Sequence, residues 1–181
     1  MKKRNIIICI ITILIIIFIY FIFSIESEKS KNNETYHRSE LEIISEYNEY
    51  ILAVDKSYSE MNTYAIFINK DYENYEKLFA IEDEGFTLEK RFIVWNSQNI
   101  YILGYNPKAY NLNNGSVQYE TDLLSLCNGK HCNFTKVIGI DDKYIYYSAS
   151  YNSEMYYGKT SLDLSEITII TSDDIPSNLK R

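Results

Sequence analysis

The chain has 181 residues, with 18 Lys+Arg against 25 Asp+Glu and a net charge of −7. Lys2, Lys3 and Arg4 all precede residue 26 and no acid does, so the remainder sets 15 cations against 25 acids, a balance of about −10. Such a surface repels phosphate backbones, which excludes nucleic acid as a partner.

Residues 6–25 read IIICIITILIIIFIYFIFSI, twenty positions without a charge. At 1.5 Å per residue a helix of that length matches a hydrocarbon core of ~30 Å, so the segment is expected to be a transmembrane anchor. The alternative is a cleaved secretory signal, whose apolar region runs ~7–15 residues and ends in a small-x-small site. Here Ser24 lies between Phe23 and Ile25, which provides no such site. Cys9 lies near the start of the run and reads as a small apolar residue within it. With its cations before the span, the N-terminus is expected in the cytoplasm and the rest outside, as a single-pass cell-membrane protein. Residues 1–25 therefore form the basic start and signal anchor, and 26–42 a polar tether too poor in apolar side chains to build a core.

From residue 43 the chain repeats itself. IISEYNEYILAVDKSYSEMNTYA, starting at Ile43, has the outline of VIGIDDKYIYYSASYNSEMYYG, starting at Val137, and FIVWNSQNIYILGYNPKAYNL, starting at Phe92, follows it more loosely. In each, an apolar pair, a polar turn and a Tyr-Ile strand precede an aromatic strand. The spacing suits one four-stranded propeller blade per unit. The middle unit predicts strands over 92–95, 100–104, 109–112 and 116–120, the last pair joined by Asn113-Asn114-Gly115, a strong hairpin signal because both Asn and Gly tolerate positive φ. The last predicts strands over 137–140, 144–149, 155–161 and 166–171. Tyr144 and Tyr146 then point to one face, and Ile145 and Tyr147 to the other. Eighteen tyrosines against 6 glycines and 2 prolines favour the same strand-rich reading. The expectation is an all-β fold: about three four-stranded, propeller-like blades over 43–176, an incomplete or open propeller, with a tail at 177–181. A helix over 39–52 is the rival reading, because Ser39-Glu40-Leu41-Glu42 looks like a capping box and Leu41, Ile44, Tyr47 and Ile51 fall near helical spacing.

The stretch Ala109-Tyr110-Asn111-Leu112-Asn113-Asn114-Gly115-Ser116-Val117-Gln118-Tyr119-Glu120-Thr121 resembles a blade of the PQQ-like β-propellers, with Tyr119 where their repeat ends in Trp. Over roughly residues 43–171 the chain is also similar to the tyrosine-rich, propeller-like repeats of membrane-anchored proteins from low-GC Gram-positive bacteria. The resemblance implies a fold rather than an activity, since such propellers include quinoprotein enzymes and non-catalytic scaffolds. No cofactor-binding residue carries over. Three blades fall short of the ~4–8 that close a ring, so association with an envelope protein or a second copy of the chain is expected.

The strongest local constellation is LCNGKHCN. Outside the membrane, Cys127 and Cys132 flanking an Asn-Gly turn read as a disulfide, and a metal site using both with His131 is the alternative. His37, the other histidine, lies in the tether. No G-x-S-x-G, P-loop or G-x-G-x-x-G occurs. The adjacent pairs Asp141-Asp142 and Asp173-Asp174 fit turns better than paired catalytic carboxylates. No catalytic, metal or cofactor-binding residue is assigned, and the chain reads as a non-enzymatic protein-binding or assembly module. The alternative is a carbohydrate-binding or enzyme-associated surface protein using aromatic residues such as Trp95, Tyr101, Tyr144 and Tyr146, for which core packing is the favoured explanation.

Overall fold

A computed structural model describes residues 34–56, 64–81, 87–104, 106–122, 126–127 and 133–179. Residues 6–25 lie outside these, and among the described residues no helix is long and apolar enough to cross a membrane. The described chain is all-β. A first sheet contains β1 (Thr35–His37), β2 (Leu41–Tyr47), β3 (Tyr50–Asp55), β4 (Tyr64–Asn69) and β5 (Asn74–Ile81), in the order β1-β5-β4-β3-β2. A second contains β6 (Ile93–Trp95), β7 (Asn99–Ile102), β8 (Lys108–Asn111) and β9 (Val117–Glu120), and a third β10 (Asn133–Ile140), β11 (Tyr144–Tyr151), β12 (Glu154–Ser161) and β13 (Ile167–Ile170), both in sequential order. Every pairing is antiparallel.

Strand pairing begins before residue 43. Thr35, Tyr36 and His37 lie opposite Glu76, Tyr75 and Asn74, so part of the expected tether is a fifth strand at the edge of the first sheet. The rival helix over 39–52 is overturned by β2 and β3, which meet at a turn where Asn48 takes φ 52°. The misleading periodicity has a physical source. A bulge between Ile43 and Ser45 shifts the alternation, placing Leu41 and Ile51 on one face of the sheet and Ile44 and Tyr47 on the other. A capping box does form nearby, but with other residues than Ser39 and Glu42: it closes a single 3-10 turn, Arg38–Glu40, where the Glu40 carboxylate accepts the His37 backbone N–H at 2.6 Å, while Glu42 lies in β2.

Alternation also decides how the sheets stack. Leu52, Tyr64 and Ile66 face Trp95, Ile100, Ile102 and Tyr110 of the second sheet in one buried cluster. The Trp95 Nε1–H donates to Ser45 Oγ at 2.8 Å, and its ring lies parallel to Tyr47 with centroids 6.1 Å apart. On the other face of the second sheet, Tyr101 and Ala109 pack with Ile145 and Leu164 of the third. At the hairpin signal, Gly115 has φ +71° and lies so close to Phe79 of the first sheet that a Cβ would meet its ring carbon at 2.6 Å. The β11–β12 turn, Asn152-Ser153, has positive φ at both positions, the twist a two-residue hairpin requires.

The opening stretch of the third repeat gains a structural role from Tyr147. Its ring covers Gly158 on the neighbouring strand, and its hydroxyl donates to the Leu126 carbonyl at 2.6 Å, tying the connection between the second and third sheets to β11. Residues near the C-terminus join the fold too: Ile175 is buried, and the Leu179 side chain lies against Gly139 of β10.

Gly158→Ala would put a methyl group 2.4 Å from Tyr147 Cζ. Overpacking of this kind is expected to cost ~1–3 kcal/mol, seen as a lower denaturant midpoint with an unchanged slope. An unchanged midpoint would mean that the Tyr147 ring is free to move away from the glycine.

Candidate functional site

The end of the second–third sheet interface opens into a groove of about 510 Å³. That lies within the ~300–1,000 Å³ of small-molecule sites. Asn96, Gln98, Asn99, Tyr101 and Tyr119 line it from the second sheet, and Asp142, Lys143, Tyr144, Ser161, Leu162, Asp163, Ser165 and Glu166 from the third.

Period-two alternation puts Asn99 and Tyr101 on the same face of β7, while Ile100 and Ile102 turn to the first sheet. Tyr119 lies opposite Ala109, on that same groove side. Asn96 shapes the β6–β7 turn, its Oδ1 accepting the backbone N–H groups of Gln98 at 2.9 Å and Asn99 at 2.8 Å. The Asn96 and Asn99 amides both donate to the Tyr101 hydroxyl, at 3.2 and 3.4 Å. Burial pushes the Tyr101 phenol above its ordinary pKa, against the opposing effect of those two amides, so it stays protonated. Asn99 is 7% exposed, and its Oδ1 is buried without a hydrogen-bond partner. Such an atom costs ~1–3 kcal/mol unless something else satisfies it.

The opposite wall is a fixed turn. Asp163 Oδ1 accepts from the Ser161 hydroxyl, the Ser165 hydroxyl at 2.7 Å and the Ser165 N–H at 3.1 Å. The Ser161 hydrogen bond is the main reason its carboxyl is held below the usual range, with Ser165 adding to it. Leu164 sits at φ +58°, a left-handed conformation that costs a residue with a Cβ ~1–2 kcal/mol. Its side chain is 2% exposed, packed with Tyr101, Leu103, Ala109 and Ile145, and that burial holds the strained turn in place.

The four aromatic residues singled out from the sequence do not form one surface. Tyr101 and Tyr144 both line the groove. Trp95 lies in the junction of the first two sheets, 7% exposed. Tyr146 is 6% exposed and donates to Asp141 Oδ2 at 2.9 Å, while Tyr144 packs edge-on against it and carries Lys159 Nζ 4.3 Å over its ring. Cys127 is buried and disulfide-bonded; Cys132 and His131 lie outside the described residues. His37 belongs to the Arg38–Glu40 turn, with Nδ1 2.7 Å from Ser39 Oγ. Among the described residues no group of three or more His, Cys, Asp or Glu side chains is placed to hold a metal ion. Sequence reasoning missed Asn96, Gln98, Asn99, Asp163, Ser165 and Glu166. The only signals for them were the turn-forming strings NSQN and DLS, which give no indication of a shared site.

Neither a protein-family model nor a curated protein matches the chain.

Burial, reinforced by the hydrogen bond to Asp141, raises the Tyr146 pKa from 10.0 to about 12. Folding favours the neutral phenol, so its contribution to stability is complete below pH 10 and is lost as pH rises to about 12. Stability measured by denaturation should fall more steeply over that interval in the unaltered protein than in Tyr146→Phe; identical slopes would contradict this. Asp141 acts at the other end of the scale. Partial burial raises its pKa, but the Lys143 and Tyr144 amides and the Tyr146 hydroxyl outweigh that and hold it below 3.8, so its contribution disappears only as pH falls through that lowered value.

Proposed function

We propose that the chain is a single-pass, membrane-anchored extracytoplasmic binding module, with its three sheets as the blades of an open propeller and the groove at Asn99 as its binding site. The anchor reading rests on the uncharged run at 6–25 behind Lys2, Lys3 and Arg4. The bonded state of Cys127 suits an oxidising compartment, with Cys132 as its proposed partner. The blade reading draws support from three sheets stacked in chain order, each with four antiparallel strands in sequential order (β2–β5, β6–β9 and β10–β13), and from the approach of β6 to β10.

The observation that carries the binding assignment is a groove of about 510 Å³, the size of a small-molecule site, with a fixed polar wall at Asp163 and a lining residue, Asn99, whose buried Oδ1 lacks a hydrogen-bond partner. Asp142, Asp163 and Glu166 against Lys143 make the groove acidic, so it disfavours phosphate and carboxylate ligands. A second reading, assembly with an envelope protein or another copy, is favoured by β9: all four residues of this edge strand are exposed, Val117 to 45% and Tyr119 to 38%.

A photo-crosslinking residue at Gln98, in the groove, compared with one at Tyr72, which is 89% exposed elsewhere, tests the binding assignment on intact cells. A light-dependent adduct at 98 and none at 72 is expected. Adducts at both positions, or at neither, would contradict a built site in the groove.

A further inference from the structure

Resting on that reading of the groove, we infer that its ligand is an extended, basic segment of a partner protein, which pairs with β9 as a fifth strand of the second sheet and lays a lysine or arginine side chain in the groove. The first sheet shows the arrangement. Its fourth sequential strand, β5, is covered by an extended segment from elsewhere in the chain, with Thr35, Tyr36 and His37 of β1 opposite Glu76, Tyr75 and Asn74. β9 is the fourth strand of the second sheet, and among the described residues it pairs only with β8. The Thr121 N–H donates to the Pro107 carbonyl at 3.0 Å, so antiparallel alternation turns the N–H and C=O of Glu120 away from β8 to the open edge. A peptide backbone satisfies both groups, whereas a polyamine, which only donates, leaves the N–H unmatched.

β13 is the corresponding strand of the third sheet, but β9 is the edge that reaches the groove, because Tyr119 lines it and the lining includes no residue of Ile167–Ile170. The lining also sets the charge of the occupant. Asp142, Asp163 and Glu166 stand against a single cation, Lys143. The hydrogen bonds from Ser161 and Ser165 all arrive at Asp163 Oδ1; they keep the carboxyl ionised and leave Oδ2 for a cation. Tyr119 exposes a ring that attracts an ammonium or guanidinium group as Tyr144 attracts Lys159, whose Nζ lies 4.3 Å over it. A second copy of the chain has the wrong sign for this place: with 18 Lys+Arg against 25 Asp+Glu it brings net negative charge to an acidic groove. β9 has only four residues and a bulge, so main-chain pairing alone gives little, and the groove supplies the charge and the specificity.

The test uses the full chain in detergent micelles at low salt, titrated calorimetrically with acetylated Thr-Val-Arg-Val-Thr, the same peptide with Glu at its centre, the Arg peptide N-methylated throughout, and spermine. The Arg peptide is expected to bind about tenfold or more tightly than the other three, and to weaken as salt is added. Glu120→Pro, which removes an edge N–H and leaves the β8 ladder intact, should abolish binding. Asp142→Asn combined with Glu166→Gln should weaken it ~3–10-fold, the effect of two exposed charges. Retention of the thermal transition is checked for each variant. Equal binding of the Arg and Glu peptides overturns the basic ligand. Binding that ignores Glu120→Pro or N-methylation, or that spermine matches, overturns the fifth strand. Self-association seen by light scattering, abolished by Glu120→Pro and not displaced by the Arg peptide, overturns the inference in favour of a second copy on the edge. No binding by any probe, alongside a groove-specific crosslink at position 98, overturns the peptide assignment while sparing the site; without that crosslink both fail.

Discussion

Each of these sheets has bulky apolar side chains on both faces, and a sheet with no polar face must be covered on both sides. The contact between the first and second sheets illustrates this constraint. Trp95 is a large amphipathic side chain whose indole N–H would be costly to bury unpaired, and it meets Ser45 Oγ in an otherwise apolar cluster while its ring lies along Tyr47. Alternation then turns Tyr101 to the opposite face of the same sheet, where it meets the third sheet. The second sheet is therefore the shared partner of both interfaces.

The groove is a consequence of that stacking. Strand bodies bury apolar residues against one another, but the turns that end them carry Asn, Asp, Ser and Glu, which remain hydrated or pair locally. Where the β6–β7, β10–β11 and β12–β13 turns come together, the apolar contact between the sheets gives way to a polar recess. Two features distinguish it from an ordinary gap between loops. Leu164 holds a strained backbone conformation by burying its side chain, and Asn99 holds an acceptor out of water with no partner. Both have an energetic cost, and folding alone does not require the second.

Much of the strand pattern was legible because it depends on local signals. Repeat starts read at 43, 92 and 137 lie close to the first strand of each sequential four-strand series at Leu41, Ile93 and Asn133, and the Asn113-Asn114-Gly115 turn falls between β8 and β9 as its composition demands. Less legible was anything that depended on neighbours distant in sequence. Thr35–His37 is short and polar, and it becomes a strand only because β5 offers an edge. The helical spacing near residue 44 was an artefact of a bulge, which shifts parity without leaving a mark in composition. The groove could not be read at all, because Asn99 and Ser165 are ordinary turn-region residues until stacking brings them together. Of the aromatic residues picked out, Trp95 and Tyr146 are largely accounted for by packing and a hydrogen bond, and Tyr101 and Tyr144 reach the groove.

The three sheets share a continuous stacked core centred on the second sheet. Amide hydrogen exchange on the full chain, followed by mass spectrometry, tests it most directly. β3 and β4, β7 and β8, and β11 and β12 are expected to be the slowest segments and to open together in one cooperative step, with protection falling in all three sheets when Trp95 is replaced by Ala. A third sheet that keeps its protection in Trp95→Ala, or that opens independently in the unaltered protein, would contradict it.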